Sequence, residues 1–201
     1  MKKIFILLFL FHNNIILSQI GYTTHIDFGI SRLDKIDWED SYEIVNYTWK
    51  PSVGIGGNIY YRKNFFNHNF KFISGLDIKF YQTKVSWKRD FLQNEIKNFN
   101  INHYAFDVPL QISYDFEKWL YINAGVSGRL IFYGSEKDKY LFKNYQKYNL
   151  AFIGGFDVYI KRNIFLRLNY YHDLYSVAHD INFNIDYFFQ QINFGIGYQF
   201  K

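Results

Sequence analysis

Two imidazole–carboxylate pairs, His25 with Asp27 and His103 with Asp107, fall two and four residues apart. Both spacings keep side chains on one face of an extended chain, where a carboxylate can orient an imidazole or the two can ligate a metal. Neither pair has a third ligand beside it in the sequence, so hydrogen bonding within a packed interior is expected of both. His172 and Ser176 have the residue types of nucleophilic hydrolysis. They lie four apart and no acid shares their phase, so no catalytic residue is assigned. Gly54-Ile-Gly56-Gly57 has the composition of a phosphate-cradling loop, but no helix follows it and the phosphate reading fails.

A larger set of ionisable residues shares a phase: Asp27, Lys71, Asp77, Lys79, Asp107, Arg129, Asp157, Arg167 and Asp173. Each sits opposite apolar neighbours in a segment of strict alternation. In residues 103–115 the even positions Tyr104, Phe106, Val108, Leu110, Ile112 and Tyr114 are apolar, while His103, Asp107, Gln111, Ser113 and Asp115 lie on the other side. Residues 120–133 repeat the pattern, with Leu120, Ile122, Ala124, Val126, Leu130 and Phe132 opposed to Tyr121, Asn123, Ser127 and Arg129. A period of two over more than ten residues specifies long strands, whereas soluble strands are typically about five or six residues. Strands of roughly 9–11 residues are what a membrane-spanning β-barrel requires.

Eight such segments can be drawn, at 20–31, 52–61, 70–85, 103–115, 120–133, 148–161, 164–175 and 188–200. The connections after the odd ones are long (32–51, 86–101, 134–147 and 176–187); those after the even ones are short (62–69, 116–119 and 162–163). That alternation matches a barrel with long outer loops and short periplasmic turns. The fold class expected is all-β, an eight-stranded antiparallel up-and-down transmembrane barrel, monomeric, with both termini periplasmic.

In that fold the shared polar phase faces the lumen. Charges of both signs cannot stay unpaired in a narrow bore, so a paired network is expected. An eight-stranded barrel is just wide enough to be filled by side chains, which favours a plugged lumen over an ion path. The inward glycines Gly54, Gly56, Gly125, Gly155, Gly195 and Gly197 are expected to make room for Tyr121, Tyr159 and Arg129. Pro109 cannot donate to a ladder and marks a bulge or a lumen-water contact. His172 and Ser176 fall on the lipid-facing phase, and a lipid-modifying enzyme is the most distant of the readings.

Residues 1–18 hold Lys2 and Lys3, an apolar run over 4–11 and Ser18. They read as a signal peptide cleaved before Gln19, which leaves 19–201 as one barrel domain. Without the leader the chain has 21 basic and 18 acidic side chains. That mild excess does not point to nucleic acid. Cysteine is absent, which excludes disulfides and thiolate metal sites, and the aromatic content of 23% fits the interface girdles of such barrels. The first outer loop carries Asp34, Asp37, Glu39, Asp40 and Glu43, and the third carries Lys137, Lys139, Lys143 and Lys147. These charges are expected to pair and stay solvated; a partner or lipopolysaccharide phosphates would be the alternative.

The stretch Tyr104-Ala-Phe-Asp-Val-Pro109-Leu-Gln-Ile-Ser-Tyr114, a short turn, Leu120-Tyr-Ile-Asn-Ala-Gly125 and near-terminal Phe200 resemble the small outer-membrane β-barrel, or porin-like, family of Bacteroidota. The resemblance covers nearly the whole chain after residue 18. It implies recognition of the C-terminal strand by the barrel-assembly machinery, although Lys201 follows the aromatic Phe200 here. It also implies outer-membrane lipid and lipopolysaccharide as surroundings, and it allows an extracellular or secretion-machinery protein as partner. The expected role is structural, adhesive or that of an interaction module acting through the outer loops, with a small solute or ion channel as the alternative. No metal and no cofactor is expected.

Overall fold

The computed structural model describes residues 19–35, 45–49, 51–65, 67–89, 96–133, 144–145, 148–175, 178–180 and 185–200. Residues 1–18, Ser176 and most of both charged loops lie outside them. The strands are β1 (Gln19–Lys35), β2 (Val45–Trp49), β3 (Ser52–Phe65), β4 (Asn67–Arg89), β5 (Ile96–Glu117), β6 (Leu120–Tyr133), β7 (Asn144–Tyr145), β8 (Tyr148–Lys161), β9 (Ile164–Asp173), β10 (Ala178–Asp180) and β11 (Ile185–Gln199).

Eight of them form a closed antiparallel circuit in the order β1-β3-β4-β5-β6-β8-β9-β11, and β1 pairs with β11 from Gly21↔Gln199 to Lys35↔Ile185 to seal it. Every strand of the circuit pairs on both sides, so the barrel has no free edge. Three further strands extend the long-connection end: β2 pairs with β4, and β7 joins β10, which pairs with β11. These sit where the sequence reading placed loops. β4 and β5 also outrun their expected bounds at 23 and 22 residues and pair as far as Lys88↔Ile96.

Alternation becomes orientation. On β1, Thr23, His25 and Asp27 are buried while Tyr22, Ile26 and Phe28 are exposed. Ile55 and Ile59 on β3 are 63% and 67% exposed, beside the buried Asn58 and Tyr60. The wall is thus apolar outside and polar inside, the reverse of a water-soluble barrel. Aromatic pairs such as Phe70–Tyr114 and Phe80–Tyr104, with ring centroids 5.0 and 5.1 Å apart, brace the outer face across neighbouring strands.

Ladder register shifts occur at Asn64/Phe65, Asp115/Glu117 and Tyr159/Lys161, in each case at the short-turn end. Pro109 is not one of them. The β4–β5 ladder skips Gly75 and Leu76 opposite Val108 and Pro109 but resumes in the same register, from Ser74↔Leu110 to Asp77↔Asp107. The missing proline N–H interrupts pairing without adding a residue, so of the two expectations the bulge is absent, while Pro109 does line a lumen void of about 10 Å³, room for roughly one water.

Candidate functional site in the barrel lumen

The inward side chains form two charged layers. In the layer toward the long connections, Asp107 on β5 and Arg129 on β6 are directly opposed in the ladder. Arg129 donates from Nε to Asp107 Oδ1 at 2.8 Å and from Nη2 to Oδ2 at 3.1 Å. This two-pronged contact uses the planar fork that only arginine offers. Arg129 Nη1 reaches Asp173 on β9 at 3.0 Å, and Nη2 also reaches Gln191 on β11 at 3.2 Å. Tyr81 on β4 donates to the same Gln191 oxygen at 2.7 Å. One guanidinium therefore ties β5, β9 and β11 together across the bore.

Lys79 Nζ lies 2.9 Å from Asp107 Oδ2 and 3.4 Å from Asp77 Oδ2, as an ion pair outside good hydrogen-bond alignment. Its charge also sits 3.6 Å from the centroid of the Tyr171 ring. His25 Nδ1 is 3.1 Å from Asp27 Oδ2 and Nε2 is 2.8 Å from Asp77 Oδ1, while Asn193 donates to Asp27 Oδ1 at 2.9 Å. The His25–Asp27 pair of the sequence thus gains a second carboxylate from β4, and both ring nitrogens are occupied. Among the described residues no three metal-ligating side chains converge on a cation position.

The layer toward the short turns is built on Asp157. Arg167 donates to it from Nε at 2.7 Å and from Nη2 at 2.9 Å, and Arg62 adds Nη2 at 2.5 Å. Arg62 Nη1 also reaches the Tyr159 hydroxyl at 2.6 Å, and Tyr159 bonds Gln199. Arg62 stacks on Tyr121 at 4.9 Å, and Arg167 on Tyr60 at 4.8 Å. Lys71 is 3.5 Å from Asp115 and 4.2 Å from the Tyr121 centroid, nearer the mouth. Between the layers a void of about 10 Å³ touches Thr23, Asn58, Gln111 and Asn169. That is room for roughly one water.

All nine of the ionisable residues expected in the lumen face inward; eight have an ion-pair partner of opposite charge, and Asp27 is held by the His25 ring and the Asn193 amide. Arg62 joins them although the expected second segment, 52–61, stops one residue short of it. β3 continues to Phe65, and the inward phase of Asn58 and Tyr60 carries Arg62 with it. Inward glycines do make room, but for other groups than expected. A Cβ on Gly54 would meet the Tyr81 ring, on Gly56 and Gly195 the His25 side chain, and on Gly197 Phe165. Tyr60, Ile73 and Phe165 form an apolar patch inside the barrel, and Ala151, Ile153 and Tyr171 a second.

The His103 side chain and the whole of Ser176 fall outside the described residues, so neither pair involving them has a geometry to report. His172 faces outward, with Nδ1 3.4 Å from the Tyr170 hydroxyl.

No family model and no curated protein matches the chain. Among solved structures it is similar to Ail, the attachment invasion locus protein of Yersinia pestis, at 17% identity, with 90% of this chain and 98% of that one covered and a TM-score of 0.41. It is also similar to the outer membrane protein OprG from Pseudomonas aeruginosa, at 11% identity, 91% and 95% coverage and a TM-score of 0.46. Neisserial surface protein A (NspA) overlaps at 11% identity, 89% and 97% coverage and a TM-score of 0.44. The barrel assignment rests on the closed ladder itself.

Proposed function

We propose that this chain is an outer-membrane β-barrel with a side-chain-filled lumen, acting through the connections at its long-connection end as a structural, adhesive or protein-interaction module. The observation that carries the reading is the Arg129 layer, which links strands on opposite sides of the bore and leaves a void of only about 10 Å³ beneath it. A hydrated ion needs more room than one water. The apolar outer wall supports a bilayer as the surrounding solvent, and closure of the sheet meets the demand that every backbone group be paired there. In this reading the short turns and both chain ends of the barrel are periplasmic. Outer-membrane lipid and lipopolysaccharide surround the wall, the barrel-assembly machinery receives the C-terminal strand, and an extracellular or secretion-machinery protein is the partner class for the loops.

The test is planar-bilayer recording of the refolded barrel, after heat-modifiable gel migration has established folding. Electrical silence is expected. A steady ion-selective current from folded protein would overturn the plugged lumen and make a small solute or ion channel the function.

A further inference from the structure

The two lumen layers are not charge-balanced in the same sense. Among the described residues, the layer toward the long connections holds four carboxylates, Asp27, Asp77, Asp107 and Asp173, against Lys79, Arg129 and the His25 ring. The layer toward the short turns holds two buried guanidiniums, Arg62 and Arg167, on the single carboxylate of Asp157. Arg62 Nε is buried and makes no hydrogen bond. A buried excess of positive charge is costly unless an anion compensates it.

Directly beyond this layer the barrel opens into a cavity of about 480 Å³ whose lining includes Lys71, Lys118, Lys161, Arg162, Trp119 and Tyr121. Tyr159 and Gln199, the two side chains that Arg62 Nη1 touches, also line it, so the buried guanidinium lies one side chain below its floor. Among the described residues four cationic side chains line the cavity and no carboxylate does; Asp115 is engaged by Lys71. Its volume lies within the range of small-ligand pockets, about 300–1,000 Å³. The aromatic rings supply apolar surface for the body of an organic molecule, and the lysines and arginine supply charge-assisted donors for its oxyanions.

We propose that the short-turn mouth of the barrel is a binding site for a small organic polycarboxylate from the periplasm, held by Lys71, Lys118, Lys161 and Arg162. The periplasmic source rests on the orientation proposed above; the site itself rests on the cavity and its charges. Lys118, Lys161 and Arg162 are exposed turn or strand-end residues, so they can be changed without disturbing the buried layers.

The experiment is calorimetric titration of the folded, detergent-solubilised barrel with citrate at low ionic strength, with sn-glycerol 3-phosphate as the phosphate arm. Citrate is expected to bind, and to bind more weakly as salt is raised. The triple variant Lys118→Gln/Lys161→Gln/Arg162→Gln is expected to lose roughly tenfold or more in affinity. Lys137→Gln/Lys139→Gln/Lys143→Gln, with the same charge change in an outer loop, is expected to keep wild-type affinity. No citrate binding, equal losses in both triples, or binding of the phosphate arm alone would overturn the proposal. Orientation is tested separately with Lys118→Cys, a clean single label because the chain has no cysteine. A membrane-impermeant maleimide should reach it only in permeabilised cells. Labelling of intact cells would overturn the periplasmic placement, and the titration would still decide the site.

Discussion

Asp107 and Arg129 meet twice: as directly opposed residues of the β5–β6 ladder and through a two-pronged side-chain contact at 2.8 and 3.1 Å. The opposition depends on a bulge. The turn pairs Glu117 with Leu120, and the shift at Asp115/Glu117 moves the register by one residue. Without it Asp107 would stand opposite Leu130, and the salt-bridging faces would be out of phase. The same device sits under Asp157 and Arg167, where the shift at Tyr159/Lys161 brings the pair into opposition. Each bulge lies by a short turn and sets the alignment of a charge pair farther up the wall.

Substitution Asp107→Asn leaves Arg129 and Lys79 facing a neutral amide in a site with no exposed surface. Breaking a buried pair from one side costs about 3–5 kcal/mol. The triple variant Asp107→Leu/Arg129→Met/Asp173→Asn should cost less than Asp107→Asn alone, because it removes Arg129 together with both of its carboxylates and leaves Lys79 paired with Asp77. Urea unfolding of the barrel in lipid vesicles measures both, and a triple variant less stable than the single would contradict this account.

Asp157 has two guanidiniums, and its neighbourhood should respond asymmetrically. Arg62→Met leaves Asp157 held by both prongs of Arg167 and should cost no more than about 2 kcal/mol. Asp157→Asn leaves two buried cations without their shared carboxylate and should cost at least twice as much. The comparison is made in the same vesicle unfolding assay. Equal losses would mean that Arg62 carries as much of the layer as Asp157.

Which residues face the lumen was legible because a strand's side-chain period is two and the segments are long. Asp27, Lys79, Asp107 and Arg129 are placed by parity alone. Arg62 was hidden by a strand end, where the polar run Arg62-Lys63-Asn64 reads as a turn although the ladder continues through it. Partners across the bore were not legible at all. His25 with Asp77 and Arg129 with Gln191 are separated by 52 and 62 residues, and only closure and stagger of the sheet bring them together. Adjacent pairs required the bulges, whose positions leave little mark in the pattern of apolar residues.

Two glycines three residues apart on β6 should behave oppositely. A Cβ on Gly125 would lie 2.7 Å from Gln111 Cα and closer still to the Leu110 carbonyl oxygen, neither of which can swing aside. Gly125→Ala should therefore destabilise by about 1–3 kcal/mol. At Gly128, on the outer face, nothing lies within 4 Å of the added carbon. Gly128→Ala should be neutral or stabilise by up to about 1 kcal/mol through reduced freedom of the unfolded chain. Unfolding midpoints of the two variants test this, and a loss at Gly128 as large as at Gly125 would refute the steric reading.

The block in the lumen should be removable at one level. Arg129 and Tyr81 both converge on Gln191, from β6 and β4, and together they cross the bore above the central void. Arg129→Ser/Tyr81→Ser deletes both arms while leaving Asp27, Asp77, Asp107 and Asp173 in place against Lys79 and the His25 ring. Any water-filled path so opened is lined at that level by an excess of carboxylates, which favours cations. The double variant should pass a steady cation-selective current where the parent barrel is silent, with the sign read from the reversal potential in a potassium chloride gradient. A folded but silent double variant would refute the Arg129–Tyr81 level as the sole block and place a second one at the Arg62–Asp157–Arg167 layer.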